Sequence, residues 1–174
     1  KCYMEVGLPE AGLEVFQKLG DQRVNQDAGL LAQKIKCLRA CGKNDEANKL
    51  VIMMKNLENE FGEYEILSAA KSMNDGKYDV ALKFVEAASL KPKVNRINLK
   101  LLETAIKIEK GDFSDLESTC KLAMAIGLEN GAYSLQARGA IRQKNWYDAE
   151  RHLAKILHKN YYDKLLLARA FHIK

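Results

Sequence analysis

The residues whose types could hold a metal, cycle redox state or shuttle protons are Cys2, Cys37, Cys41 and Cys120 with His152, His158 and His172. The cysteines contain no CxxC pair, and no pair of histidines lies near them, so the ligand spacing of a structural zinc site is missing. Cys37 and Cys41 stand at i, i+4, close enough on a helix to touch. They could act as a dithiol, but the preferred reading is two small reduced side chains facing a neighbouring helix. Free core thiols are easiest to keep in a reducing compartment, which makes the cytoplasm the expected location. His152 and His158, six residues apart, do not share a helical face. No nucleophile elbow, phosphate-binding glycine loop or HExxH motif occurs. Glu58-Asn59-Glu60 and the acidic stretch from Asp112 to Glu117 read as loop and helix-start charges. The expectation is a chain that is not an enzyme, with no metal and no cofactor.

Composition sets what must position these residues. Apolar residues make up 47% and charged residues 29%, the balance of a folded chain rather than a disordered one. Leu, Ala, Lys and Glu dominate, and Pro9 and Pro92 are the only prolines, so intrinsic propensity favours helix throughout. An all-α fold follows. The longest apolar runs, such as Leu50-Val51-Ile52-Met53-Met54, fall far short of the roughly 20 residues that cross a bilayer, so no membrane partner is expected. The chain begins at Lys1 and ends in the helical run Leu165 to Lys174, and it reads as a piece of a longer multidomain protein. Charge is uneven. Residues 1–87 carry 12 basic and 14 acidic side chains (net −2), whereas residues 88–174 carry 16 and 9 (net +7).

Internal repetition is the strongest signal. Gly42-Lys43-Asn44-Asp45-Glu46-Ala47, Gly76-Lys77-Tyr78-Asp79-Val80-Ala81, Gly111-Asp112-Phe113-Ser114-Asp115-Leu116 and Lys144-Asn145-Trp146-Tyr147-Asp148-Ala149 align without gaps, with a looser copy at Val6-Gly7-Leu8-Pro9-Glu10-Ala11. Their last residues fall at 11, 47, 81, 116 and 149, intervals of 36, 34, 35 and 33. The glycines can close one helix in the left-handed conformation. Tyr78, Phe113 and Trp146 plug the turn, and a small residue at 47, 81 and 149 lets a second helix approach the first. Leu116 should widen its hairpin. Ser114 with Glu117 forms a capping box, and Asp45, Asp79, Asp115 and Asp148 suit the positive end of each second helix. Leu31, Ile35 and Leu38, then Val51 and Met54, then Leu99, Leu102 and Ile106, then Cys120 and Ala123, form core stripes at helical spacing. The pattern predicts helices near 8–19, 26–41, 45–58, 62–75, 79–90, 95–110, 114–127, 130–144, 147–158 and 161–174.

Gly-x-aromatic-Asp-x-Ala at this period resembles the tetratricopeptide repeat, in which a glycine, an aromatic and an alanine hold these places and a proline often closes the repeat, as Pro92 does. The resemblance spans nearly all of residues 1–174, read as one domain. It departs where Leu31, Glu65, Lys100 and Tyr133 replace the tryptophan usual early in the first helix. It implies a right-handed α-solenoid of about five helix–turn–helix repeats whose first helices line a concave groove. Carried onto this chain, the groove positions are Lys36, Arg39, Ile66, Met73, Asn98, Leu101, Ile108, Ser134, Arg138, Ile141 and Arg142. They form an apolar floor with basic ends, suited to a protein or peptide segment with acidic flanks. Arg138 and Arg142 at i, i+4 could share one carboxylate or phosphate. The family's carboxylate clamp for chaperone tails is not matched, since its Lys–Asn part is missing.

The implied function is a protein–protein interaction scaffold serving a larger regulatory or assembly protein. The pentatricopeptide repeat, with a similar period, is the competing resemblance. It implies single-stranded RNA binding through the basic C-terminal repeats. The three aromatic plugs and the absence of a recurring pair of base-reading residues place nucleic acid second. A third reading is a homodimer through the terminal helices, which have no partner within the chain.

Overall fold

Helix ends recur with one geometry, and that geometry organises the chain. In the computed structural model, which describes residues 8–57, 60–156 and 166, Gly42, Gly76 and Gly111 adopt φ of +75°, +74° and +97°. Lys144 takes the same place at φ +60°. The residue after each donates its N–H five residues back: Lys43 to Leu38 (2.9 Å), Lys77 to Ser72, Asp112 to Lys107 and Asn145 to Ala140 (2.8 Å each). This left-handed closure satisfies carbonyls that a helix end leaves open. Four copies of one turn are therefore present in space as well as in sequence.

The described residues form ten helices and no strand: α1 (Pro9–Leu19), α2 (Asp21–Gln26), α3 (Ala28–Ala40), α4 (Asn44–Met54), α5 (Glu63–Asn74), α6 (Tyr78–Ser89), α7 (Arg96–Lys110), α8 (Leu116–Ala125), α9 (Glu129–Arg142) and α10 (Trp146–Ala154). The all-α expectation holds. Side-chain caps start three of them: Asp27 accepts from Leu30 N (2.9 Å), Asn95 from Asn98 N (3.0 Å) and Asn145 from Asp148 N (3.2 Å). The short α2 was not anticipated, since the segment before residue 26 gives too little helical period. The cap at Asp27 then begins α3 two residues later than expected. Val6 and Gly7 of the first repeat, the end of the helix at 147–158 and nearly all of that at 161–174 lie outside the described residues.

Every substantial helix–helix contact joins elements one or two apart in chain order. The alternate helices α3, α5, α7 and α9 touch in succession, whereas no comparable contact joins α4 to α6, α6 to α8 or α8 to α10. The core is correspondingly a series of clusters. Leu31, Ile35, Leu38, Val51 and Met54 belong to the first, Ala69, Ala81, Val85, Leu99 and Ile106 to the second, and Ile108, Cys120, Ala123 and Leu135 to the third. Ala47, Ala81 and Ala149 are each fully buried (0% exposed), as close approach of two helices requires. Tyr78 packs on the second cluster and Phe113 on the third.

The hairpin at Leu116 differs. Contacts between α7 and α8 are sparser than those within the hairpins α3–α4, α5–α6 and α9–α10, and α8 begins only at the anchor residue itself. The expected capping box is absent. Asp112 Oδ1 accepts the Ser114 N–H at 2.9 Å, Glu117 pairs with Lys121, and α8 starts only at Leu116. The local aspartate turn competes successfully with helix initiation. Leu116 instead reaches across to α9, where a β-carbon on Gly139 would lie 2.9 Å from its Cδ2.

Candidate functional site

The four cations expected to flank a groove lie between successive first helices. On α3, Lys36 Nζ lies 3.8 Å from Glu63 Oε2, and Arg39 Nη1 donates to the Leu67 carbonyl at 3.3 Å, so both reach α5. On α9, Arg138 pairs with the Glu109 carboxylate, and Arg142 Nε donates to the Glu109 main-chain carbonyl at 3.1 Å, so both reach α7. The two arginines do converge on one residue, but it belongs to this chain. Sequence spacing identified the pair and could not identify Glu109, which is 29 residues away from Arg138.

The apolar floor is only partly on the surface. Asn98 is exposed, while Ile66, Met73, Leu101, Ser134 and Ile141 are half-buried. Ile108 is a correction: it is fully buried (0% exposed) in the cluster with Cys120, Ala132 and Leu135, and it cannot touch a partner. It lies ten residues after Asn98, nearly three turns on, and helical drift turns it into the joint with the next pair. Leu101 packs toward Gly131, where an added β-carbon would meet it at 3.1 Å. Met73 and Arg138 are brought together: with Asn74, Gly76, Tyr78 and Glu109 they line a cavity of about 90 Å³.

A second concavity was not anticipated. Leu82, Val85, Glu86 and Ser89 of α6 face Arg96, Leu99, Lys100, Glu103 and Lys107 of α7 across an open cleft of about 450 Å³. At 3.6 residues per turn, these α7 positions fall on the side opposite Asn98 and Leu101. One wall is a closed ring of charges. Asp115 lies 2.8 Å from Lys100 and 2.7 Å from Lys107, and Glu103 lies 3.2 Å and 2.7 Å from the same two. Hydrogen bonds from Lys100 and Lys107 draw the Asp115 carboxyl down to about 2, and those from Asp115 and Glu103 hold Lys107 well above its ordinary range. Arg96 Nη1 donates to the Ser89 carbonyl at 2.6 Å. In sequence, the acidic run containing Asp115 has the character of helix-start charge. Its spacing to Lys100 and Lys107, 15 and 8 residues, carries no local signal.

Among residues that could do chemistry, Cys37 and Cys120 are buried and Cys41 is half-buried. Burial pushes the Cys120 thiol up to about 11, and its Sγ donates to the Ala132 carbonyl at 3.5 Å. Burial also lowers the His152 pKa, reinforced by neighbouring Arg151 and Lys155. Cys2, His158 and His172 lie outside the described residues. No group of three or more His, Cys, Asp or Glu among the described residues is placed to hold a metal ion, and no described helix is long and apolar enough to cross a membrane. Compared with known family models, curated proteins and solved structures, the chain matches none.

Proposed function

We propose that the chain is an interaction scaffold: a right-handed solenoid of about five tetratricopeptide-like repeats that holds a protein or peptide segment along its first-helix row, without catalysing a reaction. One observation carries the reading. Contacts run between near neighbours in chain order, and the first helices α3, α5, α7 and α9 touch in succession while the second helices make no comparable contact with one another. Stacked pairs that are closer on one side than on the other curve toward the closer side, which supports a concave first-helix face. The placing of this left-handed turn at each of the four aligned stretches supports equivalent repeats.

Peptide selection tests the proposal. A random peptide library panned against the whole chain should yield binders that are lost when Asn98→Asp and Ser134→Asp place carboxylates on the first-helix row. The same binders should survive Lys49→Asp on α4. Absence of enrichment, or loss only with the α4 variant, would count against the scaffold reading.

A further inference from the structure

The geometry points to a first-helix face that holds its own competitor: the Glu109 carboxylate occupies the place of a partner's carboxylate on Arg138, beside Arg142, and an acidic peptide segment displaces it. The inference rests on the reading of this face as the binding surface, and it adds both the partner's chemistry and the contact that restrains binding.

Three observations converge. First, both arginines of α9 are held by one residue of α7, Arg138 through the carboxylate and Arg142 through the main-chain carbonyl at 3.1 Å. A carboxylate is the group such an i, i+4 arginine pair would take from outside. Second, Arg142 is exposed, and among the described residues it makes that one hydrogen bond, through Nε rather than either Nη group. Third, the cavity of about 90 Å³ beside Glu109 and Arg138, bordered by Met73, Asn74, Gly76 and Tyr78, has room for a carboxylate. At about 30 Å³ per water in the liquid, it holds the equivalent of about three waters. Either carboxylate, the incoming one or that of Glu109, can be accommodated there with polar neighbours.

An incoming acidic side chain gains Arg138 and Arg142 together, and Glu109 swings toward the cavity. Because Glu109 is tethered, it competes at high effective concentration and weakens every anionic ligand. Removing its charge therefore tightens binding even though one potential contact disappears.

Poly-L-glutamate titrated into the whole chain at low salt, with poly-L-glutamine as the uncharged comparison, provides the test. Glu109→Gln should tighten poly-L-glutamate binding by about tenfold, and Arg142→Gln should weaken it by a similar factor. Glu46→Gln and Lys49→Gln on α4 make the same charge changes elsewhere and should leave affinity within about twofold. Glu109→Asp, which keeps the charge, should leave the affinity close to that of the wild type. An unchanged or weakened affinity in Glu109→Gln, with Arg142→Gln still weakening, overturns the competitor while leaving the face as a binding surface. Affinity that follows total charge in all variants, or no binding by any of them, overturns both the competitor and the acidic partner. Peptide panning then decides separately whether the scaffold reading survives.

Discussion

The hairpins α5–α6 and α7–α8 come from aligned stretches of sequence and solve the same packing problem in different ways. In the first, fully buried Ala81 lets the two helices make the most extensive contact among the described helices, and Ala69, Val85 and Ala88 fill the joint. In the second, Leu116 holds the corresponding place, α8 begins three residues later relative to the repeat, and contact is sparse. Polar groups bridge α7 and α8. Thr104 and Thr119 share a buried hydrogen bond of 2.9 Å, and the ring of Lys100, Glu103, Lys107 and Asp115 closes the outside. The hairpin with alanine at the anchor is packed mainly by apolar side chains, and the one with leucine there carries the threonine pair and the charged ring. The isobutyl group is accommodated from the next pair, by Gly139 of α9.

The comparison is broken most directly by exchanging its central residue. Ala81→Leu should destabilise the chain by about 2–3 kcal/mol in urea unfolding, because the tight joint has no glycine opposite to receive it. A cost below about 0.5 kcal/mol would show that α5 and α6 can separate as α7 and α8 do. Leu116→Ala should cost about 2 kcal/mol, since it removes a half-buried leucine from a joint already set apart. In that background Gly139→Ala should recover about 1 kcal/mol from helix propensity, whereas in the wild type Leu116 Cδ2 offsets the gain. A double-mutant cycle with no coupling would separate the two positions.

Asp115→Asn should cost on the order of 1 kcal/mol at neutral pH, after allowing for the partial exposure of the ring. The Asp115 pKa lies at about 2 against an ordinary 3.8. Its stabilisation is therefore fully present above about pH 4 and fades as pH falls through about 2. Urea midpoints of the wild type and Asp115→Asn should converge over that window, and a constant gap would exclude the ring as the cause. The smallest effect belongs to the turn that precedes α10. Lys144 adopts a left-handed conformation at φ +60° that its three counterparts fill with glycine. Lys144→Gly should stabilise by about 0.5–1 kcal/mol, the relief of strain exceeding the added freedom of the unfolded chain.

Local features of the fold were legible in the sequence. Glycine at 42, 76 and 111 announced helix ends, alanine at 47, 81 and 149 announced close approach, and apolar residues at helical spacing announced the core, because each acts within one or two turns of its own helix. The unread features depend on residues far apart. Lys36 and Arg138 look like ordinary surface cations until α5 and α7 supply Glu63 and Glu109. Asp115 looks like a favourable charge at a helix start until Lys100 and Lys107 arrive from α7. Ser114 and Glu117 fit the capping-box pattern, yet Asp112, two residues before Ser114, takes its N–H and delays the helix. Among the residues expected on the partner face, the sequence misjudged the depth of Ile108, because one period cannot describe a helix that faces two neighbours at different heights.

Cys120 gives the α8–α9 seam a built-in chemical clock. Its sulfur is buried, bonded to the Ala132 carbonyl, and held in the thiol form to about pH 11. Alkylating reagents attack thiolates, so labelling must wait until α8 lifts from α9. The rate of modification at that one sulfur, read by mass spectrometry, therefore measures how often neighbouring pairs part company, and a ligand that clamps α9 against its neighbours would slow it.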